Sequence, residues 1–430
     1  MARKMKDSGI EWIGEIPEGW EIIPVKYLAK YNYATLAESC SPDFEFSYID
    51  IGSVTYTDGI TNYQNFKFKD APSRARRIVH SGDILVSTVR TYLRAVACVN
   101  EHRLPQIAST GFLVLQADTS KIHPHFLMYS VLSDNFICKV EANSVGISYP
   151  AINASQIVHF KLPIPQLSEQ FLLVTYLDRQ CSEIDALLSK TLCSIEDYKK
   201  LKQAVITQAI TKGVRGNREM KDSGVEWIGE IPKEWVCEKI KYATSISRGL
   251  FNHRPRNDER YYNGKYPFIQ TGDVANATKH IVSYSQTLNE LGKSVSKEFP
   301  KGTLTMTIAA NVGDVAILNF DAYFPDSVVG FIPNKNIRTL YLFYVFSAMK
   351  DEFTRTAIKS TQLNLNIDRV KETFIPVTLN VNEQCEIENY LESKCAEIDK
   401  LIAKKEQLIK ELESYKKSLI YEIVTGKREV

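Results

Sequence analysis

Several things are missing from this 430-residue chain, and each absence removes a class of function. No stretch approaches the roughly 18 uninterrupted apolar residues of a membrane span, and the polar start MARKMKDSG is not a secretory leader. Charge of one sign is missing too. The 53 Lys and Arg against 51 Asp and Glu leave a formal net charge of +2, so any argument for a nucleic-acid partner must rest on local charge. The 8 cysteines form no CxxC pair and no metal-like spacing. Reduced thiols in a cytoplasmic protein are expected, with Cys181 and Cys395 serving as core packing. There is no GxxxxGK[ST] loop, no GxGxxG turn, no GxSxG elbow and no HExxH, and the 7 histidines are scattered. Pro325-Asp326 with Glu392-Ser393-Lys394 would make a nuclease-like pair only by force, since the second element lies inside a heptad helix. A non-catalytic chain with no cofactor or metal of its own is expected.

Tryptophan is scarce as well: there are 4, and all lie in one motif that occurs twice. Residues 5–17 read MKDSGIEWIGEIP and residues 220–232 read MKDSGVEWIGEIP, with one difference, and Trp20 and Trp235 close the two copies. Residues 168–211 and 382–425 also align without a gap, at an offset of 214 against 215 for the opening motif. A repeat this long is a duplicated domain rather than a solenoid, and each copy can bury its own core. Boundaries of 1–165 and 215–378 for two mixed domains and 166–214 and 379–430 for two long helices follow.

The helices carry the clearest periodicity. Leu177, Cys181, Ile184, Leu188, Thr191, Ile195, Tyr198, Lys202, Val205 and Ala209 alternate four and three apart. The second copy repeats the phase with Leu391, Cys395, Ile398, Ile402, Lys405, Ile409, Leu412, Lys416, Leu419 and Ile423. A seam sustained this long predicts two helices paired as an antiparallel coiled coil, with the polar positions Thr191, Lys202, Lys405 and Lys416 controlling register or meeting another protein. Prolines before the helices, and Gly213 and Gly426 after them, are start and stop signals. The Trp motif reads as a short docked segment.

The mixed regions share a fainter skeleton. Residues 48–54 align with 268–274, and residues 82–88 with 302–308. Alternating apolar residues predict strands, and the glycines at 52, 82, 272 and 302 predict turns of positive φ. The fold class is α+β: two tandem repeats, each a mixed α/β domain followed by a long helix.

Two loops stand out. The first unit gathers Lys67, Lys69, Arg74, Arg76 and Arg77, then Arg90, Tyr92 and Arg94. The second gathers Arg248, Asn252, Arg254, Arg256, Arg260, Tyr261, Tyr262 and Lys265. Arg and Lys neutralise phosphates, while Arg, Asn and Tyr reach base edges and sugars. One such run is usually a solvated surface; two, at comparable places in duplicated domains, favour DNA.

The doubled MKDSG[IV]EWIGEIP motif, the two domain skeletons, the junctions LPIPQLSEQ (162–170) and IPVTLNVNEQ (375–384), and Glu-Ile-Asp at 183–185 and 397–399 together resemble the specificity subunit of a type I restriction–modification system. That resemblance spans nearly the whole chain. It implies two target-recognition domains, each reading one half of a split double-stranded DNA sequence. The paired helices would be a ruler and a docking surface for two copies of the modification (methyltransferase) subunit. Methyl transfer with S-adenosylmethionine would belong to those subunits, and ATP- and Mg-dependent translocation and cleavage to the restriction subunits. A coiled-coil adaptor that binds proteins without reading DNA is the alternative, and it leaves the arginine- and tyrosine-rich loops unexplained.

Overall fold

The structure is a computed structural model describing residues 3–146, 148–253, 258–309, 311–356, 358–359 and 363–430. The chain forms two compact units, Met1–Thr191 with Gln407–Val430, and Leu192–Glu406. Each unit therefore takes one mixed domain and part of both long helices.

In each unit the Trp motif is a small hairpin, with Met5–Asp7 paired to Glu15–Pro17 and Met220–Asp222 paired to Glu230–Pro232. Its Asp-Ser-Gly is turn chemistry. The Asp7 carboxylate accepts from the Gly9 N–H at 2.9 Å and Ser8 Oγ from the Ile10 N–H at 3.1 Å; Asp222 and Ser223 do the same at 3.0 and 3.1 Å. Gly9 and Gly224 sit at φ of +69° and +71°, where a side chain would be strained. The hairpin ends on Trp20 or Trp235, both fully buried.

Both mixed domains are two sheets plus short helices. In the first, an antiparallel sheet runs Val96–Cys98, Ile84–Ser87, Phe112–Ala117, Ala29–Tyr31. Its counterpart runs Val315–Leu318, Leu304–Thr307, Val328–Pro333, Thr244–Arg248, with His280–Ile281 added at one edge. The other sheet runs Gln64–Lys67, Glu45–Ile49, Gln106–Ser109, Ala75–Val79 in the first domain. In the second it runs Gln286–Leu288, Tyr262–Phe268, Ala322–Tyr323, Glu298–Phe299. In both, the middle pair is parallel and the outer pairs antiparallel. The skeleton read from sequence is thus a shared topology. Gly82 and Gly302 have φ of +89° and +86°, as expected. Gly52 and Gly272 do not: they lie inside the helical turns Ile51–Ser53 and Thr271–Asn276, outside the left-handed region.

The long helices span Leu167–Lys212 and Val381–Val424. Every seam residue named from the sequence is buried or half-buried. In the first unit Leu173, Leu177, Cys181 and Ile184 of one helix share a core with Leu419, Ile420 and Ile423 of the other. In the second unit Ile206, Ala209 and Ile210 share one with Ile387, Leu391 and Cys395. Two of the polar seam lysines bridge the helices: Lys416 bonds Asp185 and Lys202 bonds Asp399, each at 2.7 Å. At the offset of 214 these are one interaction used twice. Half-exposed pairs of this kind add at most about 1 kcal/mol each, so they fix alignment more than stability.

The Glu-Gln that opens both helices is a joint. Glu169 accepts from Trp20 Nε1 at 3.2 Å and from Arg3 at 2.6 Å. Glu383 accepts from Trp235 Nε1 at 3.2 Å and from Arg218. The neighbouring Gln170 is fully buried; it accepts from the His123 N–H and donates to the carbonyls of Lys121 and Pro165. Gln384 repeats this with Arg338, Asn336 and Thr378. At the other helix ends, Gly213 and Gly426 have φ of +71° and +69°. A Cβ on Gly426 would lie 2.5 Å from Pro17 and 3.2 Å from Trp20, so the stop signal is also a close approach.

Candidate nucleic-acid interface

The parallel pairing of Glu45–Ile49 with Gln106–Ser109 brings the C-terminal ends of these strands side by side. The antiparallel Ala75–Val79 sets its beginning next to them, through a register shift at Ala108/Ser109. Asp50, Ser109 and Arg74 therefore sit at one edge of one sheet. Val89 and Arg90, which follow Ile84–Ser87 of the other sheet, complete a pocket of about 440 Å³ together with Ile51, Gly52 and Tyr149. Gly111 allows this convergence: a Cβ there would lie 2.4 Å from Ile51 and 3.0 Å from Val89.

Arg90 and Arg94 both hold left-handed backbone, at φ of +50° and +53°, on either side of the turn Thr91–Leu93. Such a conformation costs a non-glycine residue about 1 kcal/mol or more. The surroundings hold it. Arg94 binds Asp134 and, at 3.1 Å, Glu141; Thr91 Oγ1 donates to Ser144 Oγ; the Arg90 N–H donates to the Pro150 carbonyl at 2.8 Å. The turn leaves Tyr92 exposed and places the Arg90 guanidinium 5.1 Å from the centre of the Tyr149 ring.

Sorting the cations by what already holds them separates the candidates. Lys67 faces Asp43 and Glu45 at 3.8 and 3.9 Å, and Lys69 faces Asp43 at 3.1 Å. Arg94 is tied inward as just described, so its work is structural. Arg76 donates to the Ala75 carbonyl and lies over Phe68. Arg77 is half-buried, its Nε unpartnered among the described residues, and burial lowers its pKa. Arg74 and Arg90, both exposed, have no carboxylate partner among the described residues. Of the cations among the described residues, these two line the pocket.

The second domain differs. Arg260 is clamped on both oxygens of Asp258, whose Oδ2 also faces His253 Nε2 at 3.0 Å, and Tyr261 stacks on His253 with ring centres 4.0 Å apart. Arg260 holds the Asp258 carboxyl well below the usual carboxylate range, against an opposing effect of desolvation. Lys265 pairs with Glu290 at 3.2 Å, and Arg248 Nε donates to the Asp326 carbonyl at 2.5 Å. Asn252 is exposed. Tyr262 departs from the sequence expectation: its ring is buried among Phe251, Phe268, Leu288 and Tyr323 and packs the sheet. Arg254 and Arg256 lie outside the described residues. Asp50, Ser109 and Tyr149 were missed from sequence. Asp50 was within reach, since it lies inside the aligned skeleton segment; nothing local marks Tyr149.

The model of the type I restriction modification DNA specificity domain matches residues 17–196 and 246–414. The chain belongs to this family. Among curated relatives, the putative type I restriction enzyme MjaX specificity subunit of Methanocaldococcus jannaschii is 25% identical over 96% of this chain and 95% of its own length. The type I restriction enzyme MjaVIII specificity subunit of the same organism is 24% identical over 96% and 93%. Among solved structures, a chain from a study of complex assembly and conformational transition of the type I R-M system superposes with a TM-score of 0.77 at 22% identity, covering 96% of this chain and 99% of that one. The HsdS subunit from Thermoanaerobacter tengcongensis gives 0.53 at 21% identity, covering 96% and 98%. The chain is thus a DNA specificity subunit of a restriction–modification system, and the adaptor without DNA readout finds no support. No helix among the described residues is long and apolar enough to cross a membrane.

Proposed function

We propose that this chain reads an asymmetric DNA sequence in two separated blocks, one through each recognition domain, and delivers two modification subunits and the restriction subunits to it. The observation that carries this reading is the pairing of one topology with two chemistries. Each domain offers the same strand ends, but Asp50 at the edge of the first is Gln270 at the aligned position of the second, and the surrounding cations are held differently. Two equal frames with unequal ends favour two unlike half-sites. The helices, about 65 Å long for 44–46 residues at 1.5 Å per residue, fit the role of a ruler. Half-sites centred about one DNA turn apart, roughly 10 base pairs, are expected.

Methyl transfer with S-adenosylmethionine, and translocation and cleavage with ATP and Mg, fall to the partner subunits, and the complex works in the cytoplasm. Reconstitution tests this division. The purified chain alone should neither methylate nor cut DNA, and adding its modification subunit should produce methylation at one split sequence. Robust methylation by the chain alone would refute it.

A further inference from the structure

Resting on the DNA-reading role above, we propose that the pocket at the strand ends of the first recognition domain reads one G·C base pair, Arg74 taking the guanine and Asp50 the cytosine. In the major groove guanine offers two acceptors, N7 and O6, which suit a guanidinium, and cytosine offers an amino donor, which suits a carboxylate. A·T presents a different order of donors and acceptors, so an Arg and an Asp facing one pair discriminate by chemistry.

The pocket keeps these two groups ready. Arg74 and Asp50 share its wall, yet no ion pair joins them among the described residues. Opposite charges in one concavity that do not neutralise each other are available to a ligand with both a donor and an acceptor edge. Each is aimed from below. Asp50 accepts from Tyr48 Oη at 3.1 Å and, weakly, from the Gly52 N–H at 3.4 Å, which orients the carboxylate and leaves further acceptor capacity. Arg74 is anchored through its carbonyl, which accepts from the Thr110 N–H at 2.8 Å, at the point where the strand register shifts. Such irregularities re-aim side chains. Arg90, braced on Tyr149 at the rim, is placed for a phosphate rather than a base, since its left-handed backbone is fixed from behind.

The test maps methylation by single-molecule sequencing of DNA modified by the complex with its modification subunit. The intact complex should require G·C at one fixed position of one half-site. Arg74→Ala should relax that position alone, lowering discrimination roughly tenfold to a hundredfold, and leave the other half-site unchanged. If Arg74→Ala fails to fold, as judged by circular dichroism, the isosteric Asp50→Asn decides, because it should relax the same position. Unchanged motifs in the folded variants would overturn the proposal. So would an equal loss at all sequences with a shallower salt dependence, the mark of a phosphate contact. A wild-type complex that modifies no defined sequence would instead overturn the reading of the chain as a DNA reader.

Discussion

The two units have kept different things. The motifs at 5–17 and 220–232 that form their Trp hairpins differ at one residue, Ile10 against Val225, while their recognition sheets share topology and almost no side chains. The reason is visible in what each residue touches. Trp20 and Trp235, Glu169 and Glu383, Gln170 and Gln384, and Gly426 and Gly213 all belong to a joint in which hairpin, helix start and helix end meet. Each Trp indole bonds the glutamate at a helix start, each neighbouring glutamine ties down the loops around it, and each glycine lets the other helix end close on the Trp. At the strand ends the half-buried Asp50 and Gln270 each cap the helical turn that follows, so the two can exchange while the frame keeps its topology. The joint tolerates little and the reading edge tolerates much, as a scaffold with interchangeable readers requires.

The comparison can be broken first at the tryptophans. Replacing either fully buried Trp20 or Trp235 by Ala should cost about 3–5 kcal/mol and lower the unfolding midpoint by similar amounts, measured by denaturant titration. A large cost at one and none at the other would mean that the two joints are not equivalent.

The glutamates sharpen it. Glu383 is buried and its Arg218 partner nearly so, with side-chain exposures of 2% and 12%, whereas Glu169 and Arg3 keep 30% and 29%. Glu383→Ala should therefore cost about 2–3 kcal/mol, taking the buried acceptor from Trp235 Nε1 and Thr378 Oγ1 and leaving Arg218 with Glu234 alone. Glu169→Ala should cost only about 1–2 kcal/mol, because water reaches Arg3. Equal losses would show that burial does not govern this bond.

The smallest effect is expected at the helix bridges. Asp185→Lys or Lys416→Asp alone should cost about 1 kcal/mol or less, and the two together should recover part of it. A double-mutant cycle without coupling would remove these residues from register control.

Much of the frame was legible in sequence, because a heptad seam and a repeated motif are local patterns with fixed periods. The exchange of strand ends between neighbours is not local. Arg74, Asp50 and Ser109 come together only through a parallel pair flanked by an antiparallel strand, and no spacing along the chain announces that. Local charge runs also could not distinguish Arg94, held by Asp134 and Glu141 from a distant helix, from Arg90, four residues earlier and without a carboxylate partner. Tyr262 looked like part of a reading loop because its neighbours are polar, but strand alternation turns it into the core.

The central claim is that one frame carries two independent readers. Methylation mapping of host DNA with exchanged recognition domains tests it most directly, using a related specificity subunit as donor for the second mixed domain. One block of the split motif should change to the donor's sequence while the other block stays as it was. A motif in which both blocks change together, or in which neither does, would contradict it.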